Sequence, residues 1–214
     1  MRKLLLLAAS ALVMPSLAMA QDVKLPTGKL PDTVTPQAYR LDLTVLPSRD
    51  RFSGHTEIDV TLNDPASMVY MHGRDLEVTK ATVTANGKTF PVTFKQLTPL
   101  GLASLDFGRE LPAGKVTLKF DYTAPFGDGP AGLYHVEVGD KWYSWTQFES
   151  IDARAAFPSF DEPGYKTPFT VTLTTKPGFE AVSNAPETGT VKHGDLVTHK
   201  FESTKPLPTY LMAF

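Results

Sequence analysis

The chain has 214 residues, of which 21 are lysine or arginine and 23 are aspartate or glutamate, so its formal net charge is −2. This balance argues against nucleic acid as the partner, because a phosphate backbone is bound by a surplus of basic residues. No cysteine is present, which excludes disulfide frameworks, thiolate metal sites and thiol catalysis.

The first twenty residues have the pattern of a cleavable secretory signal. Arg2 and Lys3 form a basic start, a short apolar run follows, and the A-M-A sequence at 18–20 suits a cleavage site. The apolar run is too short for a membrane-spanning helix, which needs about 20 apolar residues. We therefore predict cleavage after Ala20 and a secreted or periplasmic mature chain of residues 21–214.

Most of the mature chain consists of segments in which apolar and polar residues alternate, a pattern typical of half-buried β-strands. The clearest segments are YRLDLTVL (39–46), TEIDVTL (56–62), KVTLKFDY (115–122) and FTVTLTT (169–175). Asn86-Gly87 and Gly139-Asp140 suit two-residue hairpin turns, and no sustained helical period is found. The sequence predicts one all-β domain over residues 21–214, built as a β-sandwich or as large open antiparallel sheets.

The aromatic-rich stretch KWYSWTQFES, at 141–150, predicts a further strand. Side chains alternate between the two faces of a strand, so Tyr143, Trp145, Gln147 and Glu149 are expected to point the same way. An amide and a carboxylate on such a face are either an ordinary solvated pair or a small recognition patch for a cation. The residues alone leave both interpretations open.

The segment at 146–169, TQFESIDARAAFPSFDEPGYKTPF, places charged residues between aromatics and prolines. The DEPG sequence at 161–164 has the composition of a turn. Arg154 is able to pair with a carboxylate of this segment and so hold the turn in place. We predict a structural role for Asp152, Arg154, Asp161 and Glu162.

Five histidines are candidates for metal binding, but no pair has the H-E-x-x-H spacing that a helical zinc site requires. They are His55, His72, His135, His193 and His199. His193 and His199 flank a predicted hairpin and are expected to face solvent. We predict no metal site within this chain.

The segment at 146–169 resembles the signature of the N-terminal domain of gluzincin-type zinc aminopeptidases, the aminopeptidase N and leukotriene-hydrolase family. AVSNAPE at 181–187 and FESTKPLPTYLMAF at 201–214 extend the resemblance, and GLY at 132–134 fits it as well. The resemblance spans about the whole mature chain, and its specificity comes mainly from residues 132–214.

The resemblance implies a large saddle-shaped β structure whose edge closes one side of an active site in the following domain. The T-Q-x-E motif of the family matches Thr146, Gln147 and Glu149. By this match Glu149 contacts the free α-amine of a peptide substrate, and Gln147 lines the pocket for its first side chain. Peptide N-termini are then the substrate, and Gln147 and Glu149 are the substrate-binding residues.

The family's G-x-M-E-N motif and its H-E-x-x-H zinc helix do not occur in the 214 residues. We therefore expect zinc in a catalytic domain C-terminal to this segment, and we expect this chain alone to be inactive. The end of the chain, PTYLMAF at 208–214, is predicted to be a strand that is cut short, as in a truncated protein. The alternative is a stand-alone secreted β-sandwich that binds peptides or glycans through Trp142, Tyr143 and Trp145.

Overall fold

The computed structural model of the chain describes residues 25–214. The predicted secretory signal lies outside the described residues. Among residues 25–214, no helix is long and apolar enough to cross a membrane.

The fold is built from thirteen β-strands, and two short 3-10 helices are the only helical elements in residues 25–214. The strands are β1 (Val34–Thr44), β2 (Arg51–Leu62), β3 (Ala66–His72), β4 (Glu77–Ala85), β5 (Lys88–Pro91), β6 (Thr93–Gln96), β7 (Leu102–Leu111), β8 (Gly114–Pro125), β9 (Gly132–Val138), β10 (Lys141–Gln147), β11 (Phe169–Thr175), β12 (Glu187–His193) and β13 (Leu196–Phe201). The 3-10 helices are Ala153–Ala155 and Thr209–Leu211. The predicted all-β class is confirmed.

The strands form three sheets, of which the largest has eight strands in the order β12-β13-β11-β1-β2-β8-β4-β5. Strands β3, β7 and β6 form a second sheet, and the hairpin of β9 and β10 forms a third. Neighbouring strands are antiparallel except for β1 and β11, which run parallel. Strands β1 and β11 are neighbours in the large sheet, but β2 to β10 lie between them in sequence. This long connection brings the chain back to the end of the sheet at which β1 begins, so that β11 runs parallel to β1.

The predicted alternation is present in the central strands. In β11 the apolar residues Phe169, Val171 and Leu173 are buried while the threonines between them are half-buried. Leu41 of β1 lies beside Val171, and Leu43 lies beside Leu173. Because side chains of paired residues share a sheet face, the two strands bury one continuous apolar stripe.

The two predicted hairpin turns are confirmed, and their residues have the required backbone conformation. Asn86 has φ 49° and Gly87 has φ 73° between β4 and β5, and Gly139 has φ 66° between β9 and β10. Positive φ carries little penalty for glycine and is tolerated by asparagine, which explains these residue types.

The irregular segment between β10 and β11 lies in the core. Ala153, Ala156, Phe157 and Phe160 are fully buried, although none of them is in a strand. The backbone N–H of Phe160 donates to the hydroxyl of Tyr39 at 2.9 Å, and burial raises the Tyr39 pKa. This segment therefore joins the large sheet to the other elements by packing as well as by hydrogen bonds.

The predicted strand at 208–214 is wrong. Thr209–Leu211 is a 3-10 helix, in which the N–H of Met212 donates to the carbonyl of Thr209 at 3.1 Å. Side chains satisfy the neighbouring backbone groups, since the Asn184 amide donates to the carbonyl of Leu211 and accepts from the N–H of Ala213, at 2.9 and 2.7 Å. Apolar composition favoured a strand here, but no sheet edge pairs with this segment.

Candidate functional site

The predicted common face of β10 is present. Tyr143, Trp145 and Gln147 are exposed, with 47% of Trp145 accessible, whereas Thr146 is half-buried. The alternation continues beyond the end of the strand at Gln147, because Phe148 is buried and Glu149 is exposed. The structure thus places Gln147 and Glu149 on the exposed side, as the sequence pattern predicted.

Phe148 anchors this site to the core. Its ring packs edge-on against Phe157 and Phe214, with centroid distances of 5.9 Å in both cases. Its carbonyl accepts a hydrogen bond from the N–H of Asp152 at 2.9 Å. Because the residue between Gln147 and Glu149 is fixed in this way, the backbone on both sides of it is held in place while the two polar side chains remain outside.

The carboxylate of Glu149 forms no hydrogen bond or ion pair with residues 25–214. The amide of Gln147 donates to the backbone carbonyl of Glu149, at 3.5 Å, which is at the limit of a hydrogen bond. The nearest acidic neighbour in sequence differs, since Asp152 is paired with Arg74 at 2.6 Å. Glu149 is therefore an acceptor that is free to bind an added cation.

The predicted structural residues form three separate groups, since Asp152 pairs with Arg74, Arg154 with Asp161, and Glu162 with the N–H of Leu30. Arg154 donates from Nε to Oδ2 of Asp161 at 2.9 Å, and only 8% and 1% of the two side chains are accessible. Oδ1 of Asp161 accepts from the hydroxyl of Thr209 at 2.5 Å. Glu162 lies outside this pair, and its Oε1 accepts from the N–H of Leu30 at 2.5 Å.

The turn near Pro163 begins one residue later than predicted. The N–H of Tyr165 donates to the carbonyl of Glu162 at 3.2 Å, so Pro163 and Gly164 are its central residues. Proline favours the first of these positions because its ring fixes φ. Asp161 precedes the turn, and this leaves its side chain directed toward Arg154.

His72 belongs to the buried polar group, although no sequence pattern pointed to it. The ring accepts a hydrogen bond from the N–H of Asp161 at Nδ1, at 3.1 Å. Burial disfavours the imidazolium and the charge of Arg154 repels it, so the pKa of His72 falls from 6.5 to about 3. The neutral ring therefore carries its proton on Nε2.

His72 makes the stability of the fold depend on pH. Its pKa is lower in the folded chain, so between pH 6.5 and about 3 the unfolded chain binds a proton that the folded chain does not. The free energy of unfolding is expected to fall on acidification by up to about 1.4 kcal/mol per pH unit from this group. Urea unfolding at pH 6.5, 5.5 and 4.5 measures this slope.

The matched variants for this prediction are His72→Gln, which keeps an acceptor but does not titrate, and His193→Gln on the exposed edge strand. We expect a shallower pH slope only in His72→Gln. Equal slopes in both variants and the unmodified chain would show that the pKa of His72 is the same in the folded and the unfolded chain.

The remaining histidines do not gather into a metal site. Within residues 25–214, no group of three or more His, Asp or Glu side chains is placed to hold a metal ion. The expectation that His199 faces solvent is wrong, since it is buried on β13 with Nε2 3.3 Å from the hydroxyl of Thr175. His193, at the end of β12, is exposed as expected. The hairpin itself was predicted, but His199 points to its inner face.

Comparison with known proteins identifies the relatives of this chain. The family model described as "Peptidase M1 N-terminal domain" matches residues 35–211. Aminopeptidase M1-B of Oryza sativa subsp. japonica is 31% identical over 189 residues, which is 86% of this chain and 22% of that protein. Endoplasmic reticulum aminopeptidase 1 of Rattus norvegicus is 32% identical over 198 residues, which is 87% of this chain and 21% of that protein. Endoplasmic reticulum aminopeptidase 2 of Homo sapiens is 31% identical over 201 residues, again 87% and 21%. The chain thus spans about a fifth of the length of these curated relatives.

Proposed function

The chain belongs to the peptidase M1 N-terminal domain family, and from this we propose that it is the substrate-recognition domain of an exported zinc aminopeptidase. In this proposal the domain binds the N-terminus of a peptide and acts together with a catalytic domain C-terminal to it. The names of the relatives, all aminopeptidases, support this function. The proposed export rests on the signal pattern of residues 1–20.

The observation that carries the proposal is the free carboxylate of Glu149. It lies on the exposed side beside Gln147, and it has no hydrogen-bond or ion-pair partner among residues 25–214. An aminopeptidase must distinguish a terminal ammonium from an internal peptide bond, and a fixed carboxylate does so through a charge-assisted hydrogen bond. Gln147 lies two residues before Glu149 and is exposed as well, so it is then beside the first side chain of the substrate.

The chemistry of peptide hydrolysis is assigned to the catalytic domain. Residues 25–214 provide no cluster of three metal ligands, so they do not fit a zinc ion. Their own contribution is to hold the substrate amine at one place, which is set by the buried Phe148. A substrate that is correctly placed reacts faster because the entropy of positioning has been lost at binding.

A stand-alone binding module is the second candidate, and the aromatic pair on β10 favours it. The rings of Tyr143 and Trp145 are exposed and stack with a centroid distance of 5.6 Å. Such a platform suits sugar rings or aromatic side chains. The two candidates differ in whether activity appears when a catalytic domain is supplied.

The test joins the chain to a catalytic domain, either its own continuation or that of a relative. We expect the joined protein to hydrolyse leucine p-nitroanilide but not its N-acetyl form, because acetylation removes the ammonium. The chain by itself is expected to hydrolyse neither and to retain no stoichiometric zinc after dialysis. One tightly bound zinc per isolated chain, or equal hydrolysis of both substrates by the joined protein, would contradict the proposal.

A further inference from the structure

A cavity of about 690 Å³ lies beside the buried pair of Arg154 and Asp161, and neither Gln147 nor Glu149 lines it. The lead-in segment 26–29, the loop that precedes β7, and the Pro163–Gly164 turn line it. Its volume falls in the range of small-molecule sites, roughly 300–1,000 Å³. It therefore has the dimensions to hold a small organic molecule.

Buried hydrogen-bond donors border this cavity. His72 is 5% exposed and its Nδ1 is already used, so the proton is on Nε2. Nε2 has no hydrogen-bond partner among residues 25–214, and this atom is not fully buried. Arg154 donates from Nη1 to the carbonyl of Leu100 at 3.1 Å and from Nη2 to the carbonyl of Asp161 at 3.0 Å. Each of these nitrogens keeps a second N–H that is not committed.

Groups of both charge signs line the same cavity. Lys29 and Arg154 are cationic, and Asp161 and Glu162 are anionic. Asp161 is occupied by Arg154 and Thr209, whereas only Oε1 of Glu162 is used and its Oε2 has no partner in the described part of the chain. Because Arg154 and Asp161 pair with each other, Lys29 and Glu162 remain as charges of opposite sign, which suits a ligand that itself carries one positive and one negative charge.

Part of the cavity wall is apolar. Leu100, Leu102 and Ile151 line it, and 66% of Leu100 is accessible. An apolar side chain of a ligand would remove part of this surface from water, at about 25 cal/mol per Å². The cavity thus combines donors, a free carboxylate oxygen and an apolar wall.

We propose that this cavity binds a free α-amino acid with an apolar side chain. The carboxylate of the ligand accepts from Nε2 of His72 and the free N–H groups of Arg154, its ammonium donates to Oε2 of Glu162, and its side chain packs on Leu100. The proposal goes beyond the function proposed above and does not depend on Glu149.

The test is calorimetric titration of the purified, cooperatively folded chain with leucine and two truncated analogues. 4-Methylpentanoate lacks the amine of leucine, and 3-methylbutylamine lacks its carboxylate. Because each analogue leaves one buried or charged group of the cavity without its partner, we expect both to bind at least about 10-fold more weakly than leucine. Equal binding of leucine and either analogue, or no binding of leucine at millimolar concentration, overturns the proposal.

Two variants locate the binding site. Glu162→Gln keeps an acceptor for the N–H of Leu30, and we expect it to weaken leucine but not 4-methylpentanoate. Leu100→Glu replaces the apolar surface on which the ligand side chain packs by a charged group and is expected to weaken both. The matched control is Val138→Glu on the exposed hairpin of β9 and β10, where 59% of the side chain is accessible. Leucine binding that Leu100→Glu and Val138→Glu change equally would place the ligand elsewhere.

Discussion

Replacement of Glu149 by glutamine is expected to lower kcat/KM for substrates with a free α-amine by roughly 10- to 150-fold, in the chain joined to a catalytic domain. The change removes the negative charge while keeping the size and shape of the side chain. A hydrogen bond that involves a charged group contributes about 1.5–3 kcal/mol, which corresponds to this range of rates. The carboxylate has no other partner in residues 25–214, so little else should change.

The control for this prediction is Glu137→Gln, which makes the same change in charge on an exposed residue of the neighbouring strand β9. We expect it to leave kcat/KM unchanged within about twofold. Substrates with a blocked amine should be equally poor with both variants, because they never make the contact. If Glu149→Gln also stays within about twofold, a difference of ~0.4 kcal/mol, the pair of Gln147 and Glu149 is ordinary solvated surface.

Replacement of Arg154 by methionine is expected to lower the free energy of unfolding by about 3–5 kcal/mol. Methionine keeps much of the volume of the side chain but leaves Asp161 buried without its cation. Within residues 25–214, Asp161 would keep only the hydroxyl of Thr209 as a side-chain donor. At about 2–4 °C per kcal/mol for a chain of this size, the melting temperature should fall by roughly 6–20 °C.

The control for this second prediction is Arg51→Met, which breaks an ion pair on the surface. Arg51 lies 3.4 Å from Glu77, and 40% and 71% of the two side chains are accessible to water. Exposed pairs contribute about 0–1 kcal/mol, so urea unfolding should separate the two variants clearly. Similar losses in both would mean that water reaches Asp161 and replaces the guanidinium.

The alternation of residues was sufficient to predict β1, β2, β8, β10 and β11 and the exposed side of β10, whereas β3, β6 and β7 were not predicted. FTVTLTT corresponds to β11 residue for residue, and the turns at Asn86-Gly87 and Gly139-Asp140 are where the sequence placed them. Both signals are local, because a period of two and a requirement for positive φ are properties of neighbouring residues. The exposure of Gln147 and Glu149 follows from the same period.

Contacts between distant segments could not be predicted in this way. The parallel pairing of β1 with β11 joins residues about 130 positions apart, as in Leu41 beside Val171. His72 gave no signal because its partner, the N–H of Asp161, is 89 residues away in sequence. The prediction of a strand at 208–214 was wrong for a related reason. The backbone groups of this segment form hydrogen bonds with Asn184, which is distant in sequence, and within a 3-10 turn.

By itself, the sequence determined the all-β class, the strands with clear alternation, the two hairpin turns, and the order of polar and apolar residues around Gln147 and Glu149. These features depend on which face of a strand a side chain occupies, and alternation fixes that locally. Only the tertiary structure decided which carboxylates are committed and which are free. Asp152, Asp161 and Glu162 are held by Arg74, Arg154 and the N–H of Leu30, whereas Glu149 is not. The pairing of charges depends on distances across the fold, and composition carries no information about those distances.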